Sequence, residues 1–306
     1  MSPMPILSDL TVRVLSLMPT AVMRHFSSKY IAGETAGEAL ERLRAINAEG
    51  YSGILDILGE DADGELGARA ALQEYMDASS ELAASGLSAY VSAKPTHFGL
   101  RTGEDLCFDL YSALATHCKG LGLFLRVEME DNTTTAATLR IFKLLLQQHD
   151  NVGVVLQSRL FRTMADIEAL LAVVPTGRTL DVRMVKGIYL EPAEIAQTDY
   201  ASIAKAYVDQ TRALFIGGAK VGLATHDDQM GEELLALVEE LAIPKTRYEF
   251  QVLMGVRRPL WRQWLDAGHP VRVYVPFGPE WKAYSLRRLK KNPKLLTQVA
   301  LAALRK

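Results

Sequence analysis

Eight short runs rich in β-branched and apolar residues recur along the chain, and each is followed by a stretch whose apolar residues fall at helical spacing. The runs are GYSGILDIL (50–58), SAYVSAKP (88–95), GLFLRVEME (122–130), NVGVVLQS (151–158), TLDVRMVKG (179–187), KVGLATHD (220–227), YEFQVLMG (248–255) and PVRVYVPFG (270–278). Strand then helix, repeated, calls for parallel strands joined by crossover helices, and eight such units are enough to close a (β/α)₈ barrel. Between the runs, residues 131–149 begin with Asp131 and Asn132 as candidate caps. They then place Leu139, Phe142, Leu145 and Leu146 on one helical face. Residues 228–242 follow Asp227 and carry Leu234, Leu235, Leu237, Val238 and Leu241. An open doubly wound sheet is the structural rival, but its glycine-rich turn after the first strand is missing: Gly217, Gly218 and Gly222 precede or enter a strand.

Ahead of the first run, TAGEALERLRAINAE (35–49) offers Thr35 as an N-cap with Glu38 three residues on, the pattern of a capping box. Residues 1–49 are expected to add helices, two short ones in the first 29 residues among them, to a catalytic barrel spanning 50–306. The chain has 306 residues, 49% of them hydrophobic, enough for one large core, and α/β barrels commonly run to about 250 residues as one unit. A net charge of −2 provides no basic field for nucleic acid. Cys107 and Cys118 lie in one expected helix, about 16 Å apart and out of disulfide reach, which suits reduced thiols and a cytoplasmic setting. No apolar run reaches the 18 or so residues that span a bilayer.

A barrel enzyme builds its site at the C-terminal ends of its strands. Polar residues collect there: Lys94; Glu128, Glu130 and Asp131; Gln157; Arg183, Lys186 and Gly187; Thr225, His226 and Asp227; Glu249 and Gln251; and Tyr274. The strand starts read as mostly apolar or turn-like. Each polar residue has an ordinary explanation too. His226 could be a hydrogen-bonded core histidine, and Arg183 half of an ion pair with Glu128 or Glu249. Lys186 could be a Schiff-base amine of a lyase or aldolase, or a salt-bridged lysine. Glu128, His226 and Glu249 could hold a metal for hydrolysis, though their spacing is loose. A barrel that only partners another enzyme is a further alternative. The segment 281–306 is dense in Lys and Arg and free of Asp and Glu. Tyr284 and Arg288 share a helical face with Arg287 one step round, and two guanidinium forks suit a carboxylate.

The strings VRMVKGIY (182–189), ATHD (224–227), YEFQVLMG (248–255), VYVPFG (273–278) and YSLRRLKKN (284–292), with TAGEALERLRAINAEG and SAKPTHFGL before them, resemble the ordered signatures of proline dehydrogenases of the monofunctional bacterial type. The resemblance implies a distorted (β/α)₈ barrel with non-covalent FAD over the strand ends, oxidising L-proline to Δ1-pyrroline-5-carboxylate. It implies that Arg287 and Arg288, helped by Lys94, hold the proline carboxylate, and that Leu253, Tyr274 and Tyr284 line the ring pocket. Arg183 would lie near flavin N5, with Glu128 beside it as a second catalytic residue. Met129, Gln157, Val185, Lys186, Gly187, Ile188, Thr225, His226 and Gln251 would contact the cofactor. Electrons would pass to a quinone, with peripheral contact at the cytoplasmic face of the membrane and transient contact with the dehydrogenase that consumes the product. Two positions depart from the family pattern: Glu128 stands where Asp is usual, and Lys291 where Glu is usual.

Overall fold

The computed structural model describes residues 23–24, 27–282 and 284–285. Eight parallel strands, β1 (Ser52–Ile57), β2 (Ala89–Ala93), β3 (Leu125–Val127), β4 (Val152–Gln157), β5 (Asp181–Val185), β6 (Lys220–Ala224), β7 (Tyr248–Leu253) and β8 (Val271–Phe277), form a closed barrel in sequence order. Every expected run contains one of them. Closure is made by β1 and β8, paired in parallel from Ser52 opposite Arg272 to Ile57 opposite Phe277. Strands such as β4 (VGVVLQ) are buried along their whole length because helices cover their outer face.

The outer ring is α1 (Ala36–Ala48), α2 (Gly64–Ser85), α3 (Glu104–Gly120), α4 (Asn132–Gln148), α5 (Thr163–Leu171), α6 (Tyr200–Ile216), α7 (Asp228–Glu240) and α8 (Arg258–Asp266). The expected capping box opens α1: Thr35 accepts from the Glu38 amide while the Glu38 carboxylate accepts from the Thr35 amide. α1 precedes β1 yet packs against β1, β8 and α2, so it takes a place in the ring. Leu43 lies against Gly53, where a side chain would collide with it. Asp131 caps α4 through the Thr133 amide, and Asp227 caps α7 through the Met230 amide. Cys107 and Cys118 are both buried on α3 as free thiols.

Among strand starts expected to be mostly apolar or turn-like, two buried ion pairs stand low in the barrel. Arg126, 1% exposed, reaches from β3 to β5, donating to the Asp181 carboxylate at 2.5 Å and to the Asp181 carbonyl at 2.9 Å. Its guanidinium lies 4.9 Å from the Phe124 ring centre and 5.6 Å from that of Tyr90. Arg272 donates to Glu249 at 2.7 Å and to the Gly53 carbonyl at 3.0 Å. The lower barrel is therefore filled by paired charges between aromatic rings, each charge answered by a partner as burial demands.

Candidate active site

Alternate residues of a strand share a face, so every second residue of the eight strands points into the barrel. Asp56, Ser92, Glu128, Arg183, Gln251 and Tyr274 make a connected layer in its upper half. Arg183 Nη1 donates to Glu128 Oε1 at 2.5 Å, and its Nε donates to Gln251 Oε1 at 2.6 Å. The same Glu128 oxygen accepts from Ser92 Oγ and from Tyr274 Oη at 3.1 Å. Gln251 continues the chain downward, donating to Tyr90 Oη at 3.0 Å and to Glu249 Oε1 at 2.7 Å. Room for the Gln251 amide comes from Gly222 on β6, where a Cβ would stand 2.4 Å from it.

This arrangement holds two buried ions in their charged forms. Burial pushes the Glu128 carboxyl up, but the Arg183 guanidinium and the bond from Ser92 outweigh it and leave it below the usual carboxylate range. Burial opposes the charge of Arg183, and Glu128 more than restores it, so the guanidinium stays protonated. Arg183 also lies 5.0 Å from the Tyr274 ring centre. The result is a rigid, permanently charged cation facing the space above the strands.

That space is a cavity of about 810 Å³ at the C-terminal strand ends. Lys94, Glu128, Met129, Gln157, Arg183, Val185, Lys186, Gly187, Ile188, Thr225, His226, Gln251, Leu253, Tyr274 and Tyr284 all line it. Arg287, Arg288 and Lys291 lie outside the described residues. Glu249, grouped above with the rim, does not line the cavity; it belongs to the lower ion pair with Arg272. Asp131 is taken up as the cap of α4.

His226 Nε2 accepts from the Leu253 amide at 2.7 Å, which fixes the ring against β7 and leaves Nδ1 as its donor. Lys186 Nζ donates to Asp227 at 3.2 Å and stands 5.1 Å from the Tyr200 ring centre. An ammonium paired in this way is unlike the desolvated amine that Schiff-base chemistry uses. No three His, Cys, Asp or Glu side chains among the described residues are grouped to hold a metal ion. Gly187, with φ +97°, turns the chain directly after β5; a Cβ there would lie 2.8 Å from Gln157 Oε1 and from Arg159 Cδ.

The cavity also contains residues that sequence reading did not single out. Asp56 from β1 forms a pair with Lys94, and Glu60, Tyr189, Asp228 and Arg257 line the mouth. Asp56 carried a signal, as the single charged residue in the apolar run GYSGILDIL. Arg257 carried none: its left-handed backbone, φ +53°, and its pairing with Asp228 are tertiary facts.

Comparison with known proteins adds the lineage. The proline dehydrogenase family profile matches residues 39–300. Proline dehydrogenase of Deinococcus radiodurans is 33% identical over 277 residues, covering 89% of this chain and 88% of that one. Proline dehydrogenase 1 of Bacillus subtilis (strain 168) is 30% identical over 265 residues, 87% of this chain and 86% of that one. Among solved structures, proline utilization A from Bdellovibrio bacteriovorus, inactivated by N-propargylglycine, superposes with a TM-score of 0.81 at 24% identity. It shares the barrel; the match covers 87% of this chain and 32% of that larger one. With the profile running from α1 to beyond β8 and relatives of nearly the same length about a third identical throughout, this chain belongs to the proline dehydrogenase family.

Proposed function

We propose that this protein oxidises L-proline to Δ1-pyrroline-5-carboxylate with FAD as its cofactor, the first step in converting proline to glutamate. The observation that carries the reading is the Glu128-clamped Arg183 under a large cavity at the strand ends, in a chain of this family. The cavity suits a flavin. Val155, Val185 and Leu253 offer apolar surface for a flat ring system, and Arg183 and Lys186 offer positive charge for the reduced ring and a diphosphate. At Gly187 the backbone itself forms the wall, with no space for a side chain between it and Gln157.

When bound, FAD would supply the acceptor for the hydride leaving the ring methylene next to the proline nitrogen, on the side away from the carboxylate. The nitrogen lone pair forms the new C=N bond, and the nitrogen proton goes to solvent. The chain does the rest. Arg183 provides fixed positive charge where electron density arrives, and Glu128 prevents it from turning away. Met129, Gln157, Val185, Lys186, Gly187, Ile188, Thr225, His226 and Gln251 hold the cofactor. Lys94, Arg287 and Arg288 bind the substrate carboxylate, while Leu253, Tyr274 and Tyr284 enclose the ring. Within the stretch 1–49, α1 is an addition to a catalytic unit spanning 50–306, and the two short helices expected in the first 29 residues fall mostly outside the described residues. Electrons leave to a quinone at the cytoplasmic face of the membrane, touched peripherally, and the product passes to a Δ1-pyrroline-5-carboxylate dehydrogenase.

Turnover tests this directly. Purified protein with FAD and a quinone-like dye should reduce the dye only when L-proline is present, with stoichiometric formation of a cyclic imine trappable by an aromatic aminoaldehyde. Dye reduction without imine, or none with any ring amino acid, contradicts the reading.

A further inference from the structure

Asp56 is the only charged residue of β1, and neither substrate nor cofactor claims it in the account above. Its carboxylate is buried, and both its oxygens lie 3.3 Å from Lys94 Nζ. The strand register creates this pair. Asp56 stands beside Ser92 in the β1–β2 ladder, and Lys94, two residues on, projects from the same face one step nearer the rim. We propose that Asp56 is the positioning residue for Lys94, holding its amine charged and aimed into the cavity so that it can receive the carboxylate of an amino-acid substrate. The inference rests on the substrate reading above and extends it to a residue that the substrate does not meet.

Three features support it. The first is a gradient of exposure: the side chains are 2% exposed for Asp56 and 13% for Lys94, so the acid sits behind the amine and acts through it. The second is valence. An ammonium has three N–H donors, and a shared contact with one carboxylate leaves donor capacity facing the cavity. The third is the cost of the site. Burial drives a lysine toward its neutral form, and Asp56 is the largest influence opposing this at Lys94, followed by Glu128. Together they keep the amine protonated above its ordinary range.

Other groups surround Asp56. Lys94 faces it from beyond β2, Glu128 from beyond β3, Tyr274 from β8 and Tyr75 from α2. Burial raises its carboxyl to about 6, with Lys94 pulling down and Glu128 pushing up, so it is ionised at and above neutral pH. A carboxylate serving only to fill the barrel would be indifferent to whether Lys94 is present; a positioning residue is not.

The test is calorimetric binding of L-tetrahydrofuran-2-carboxylate, which has the ring and the carboxylate but no amine. It is measured between pH 7 and pH 9.5 on the flavin-loaded protein, on Asp56→Asn, on Lys94→Met and on the double variant. The starting protein should bind the probe with nearly constant affinity across this range. Asp56→Asn should bind about tenfold more weakly at the alkaline end, the loss growing with pH as Lys94 gives up its proton. Lys94→Met should bind weakly at every pH, and adding Asp56→Asn to it should change nothing further. The proposal is overturned if Asp56→Asn follows the parent curve, or if it weakens Lys94→Met by the same factor as it weakens the parent. Should Asp56→Asn fail to fold, Asp56→Ser is read in the same way. Failure of the parent protein to bind the probe at all would defeat the substrate reading itself, and this proposal with it.

Discussion

At the scale of single residues, the site depends on charges that are buried only because each has a partner. Glu128 meets Arg183, Ser92 and Tyr274 with one carboxylate oxygen. Removing Arg183 would leave that carboxylate buried and uncompensated, a change that typically costs about 3–5 kcal/mol. Arg183→Met should accordingly lower unfolding stability by roughly that amount. Arg183→Met combined with Glu128→Gln should regain much of it, as measured by urea denaturation at neutral pH. Equal stability of the single and double variants would mean that the pair is not coupled as described.

At the scale of elements, the segments joining strands to helices both finish the fold and furnish the site. Asp227 shows this: one carboxylate oxygen caps α7 through the Met230 amide, and the other accepts from Lys186 and from Tyr200 at 2.5 Å. Asp227→Asn keeps a capping side chain and removes the charge, whereas Asp227→Ala removes both. Thermal unfolding should therefore separate them, with Ala costing about 1 kcal/mol more than Asn. Indistinguishable melting would assign the stabilisation to the Lys186 pair instead. The caps at Thr35, Asp131 and Asp227 could be read in the sequence because a cap and the amide it binds lie within three residues of each other. The eight strands were legible for a similar reason, since alternation and run length are local.

At the scale of the whole molecule, what the sequence concealed is what barrel closure creates. Arg126 and Asp181 are 55 residues apart in the chain, and Arg272 donates to the carbonyl of Gly53, 219 residues away. Nothing local marks such pairs, so strand starts that read as mostly apolar or turn-like gave no sign of the two buried ion pairs there. Asp56 is the instructive middle case. Its oddity within an apolar strand was visible, but its partner became evident only once β1 and β2 were placed side by side. The rim residues were easier, because polar side chains at strand ends converge in any closed barrel. The claim that unites these scales is the proposed one, that the cavity bounded by Arg183 would hold a flavin for the oxidation of L-proline. The most direct test is an absorption spectrum of the flavin-loaded protein, recorded without oxygen before and after addition of L-proline. The account predicts an oxidised band at about 450 nm that bleaches on addition of proline. A protein that cannot be loaded with FAD, or a band left unchanged by proline, would contradict it.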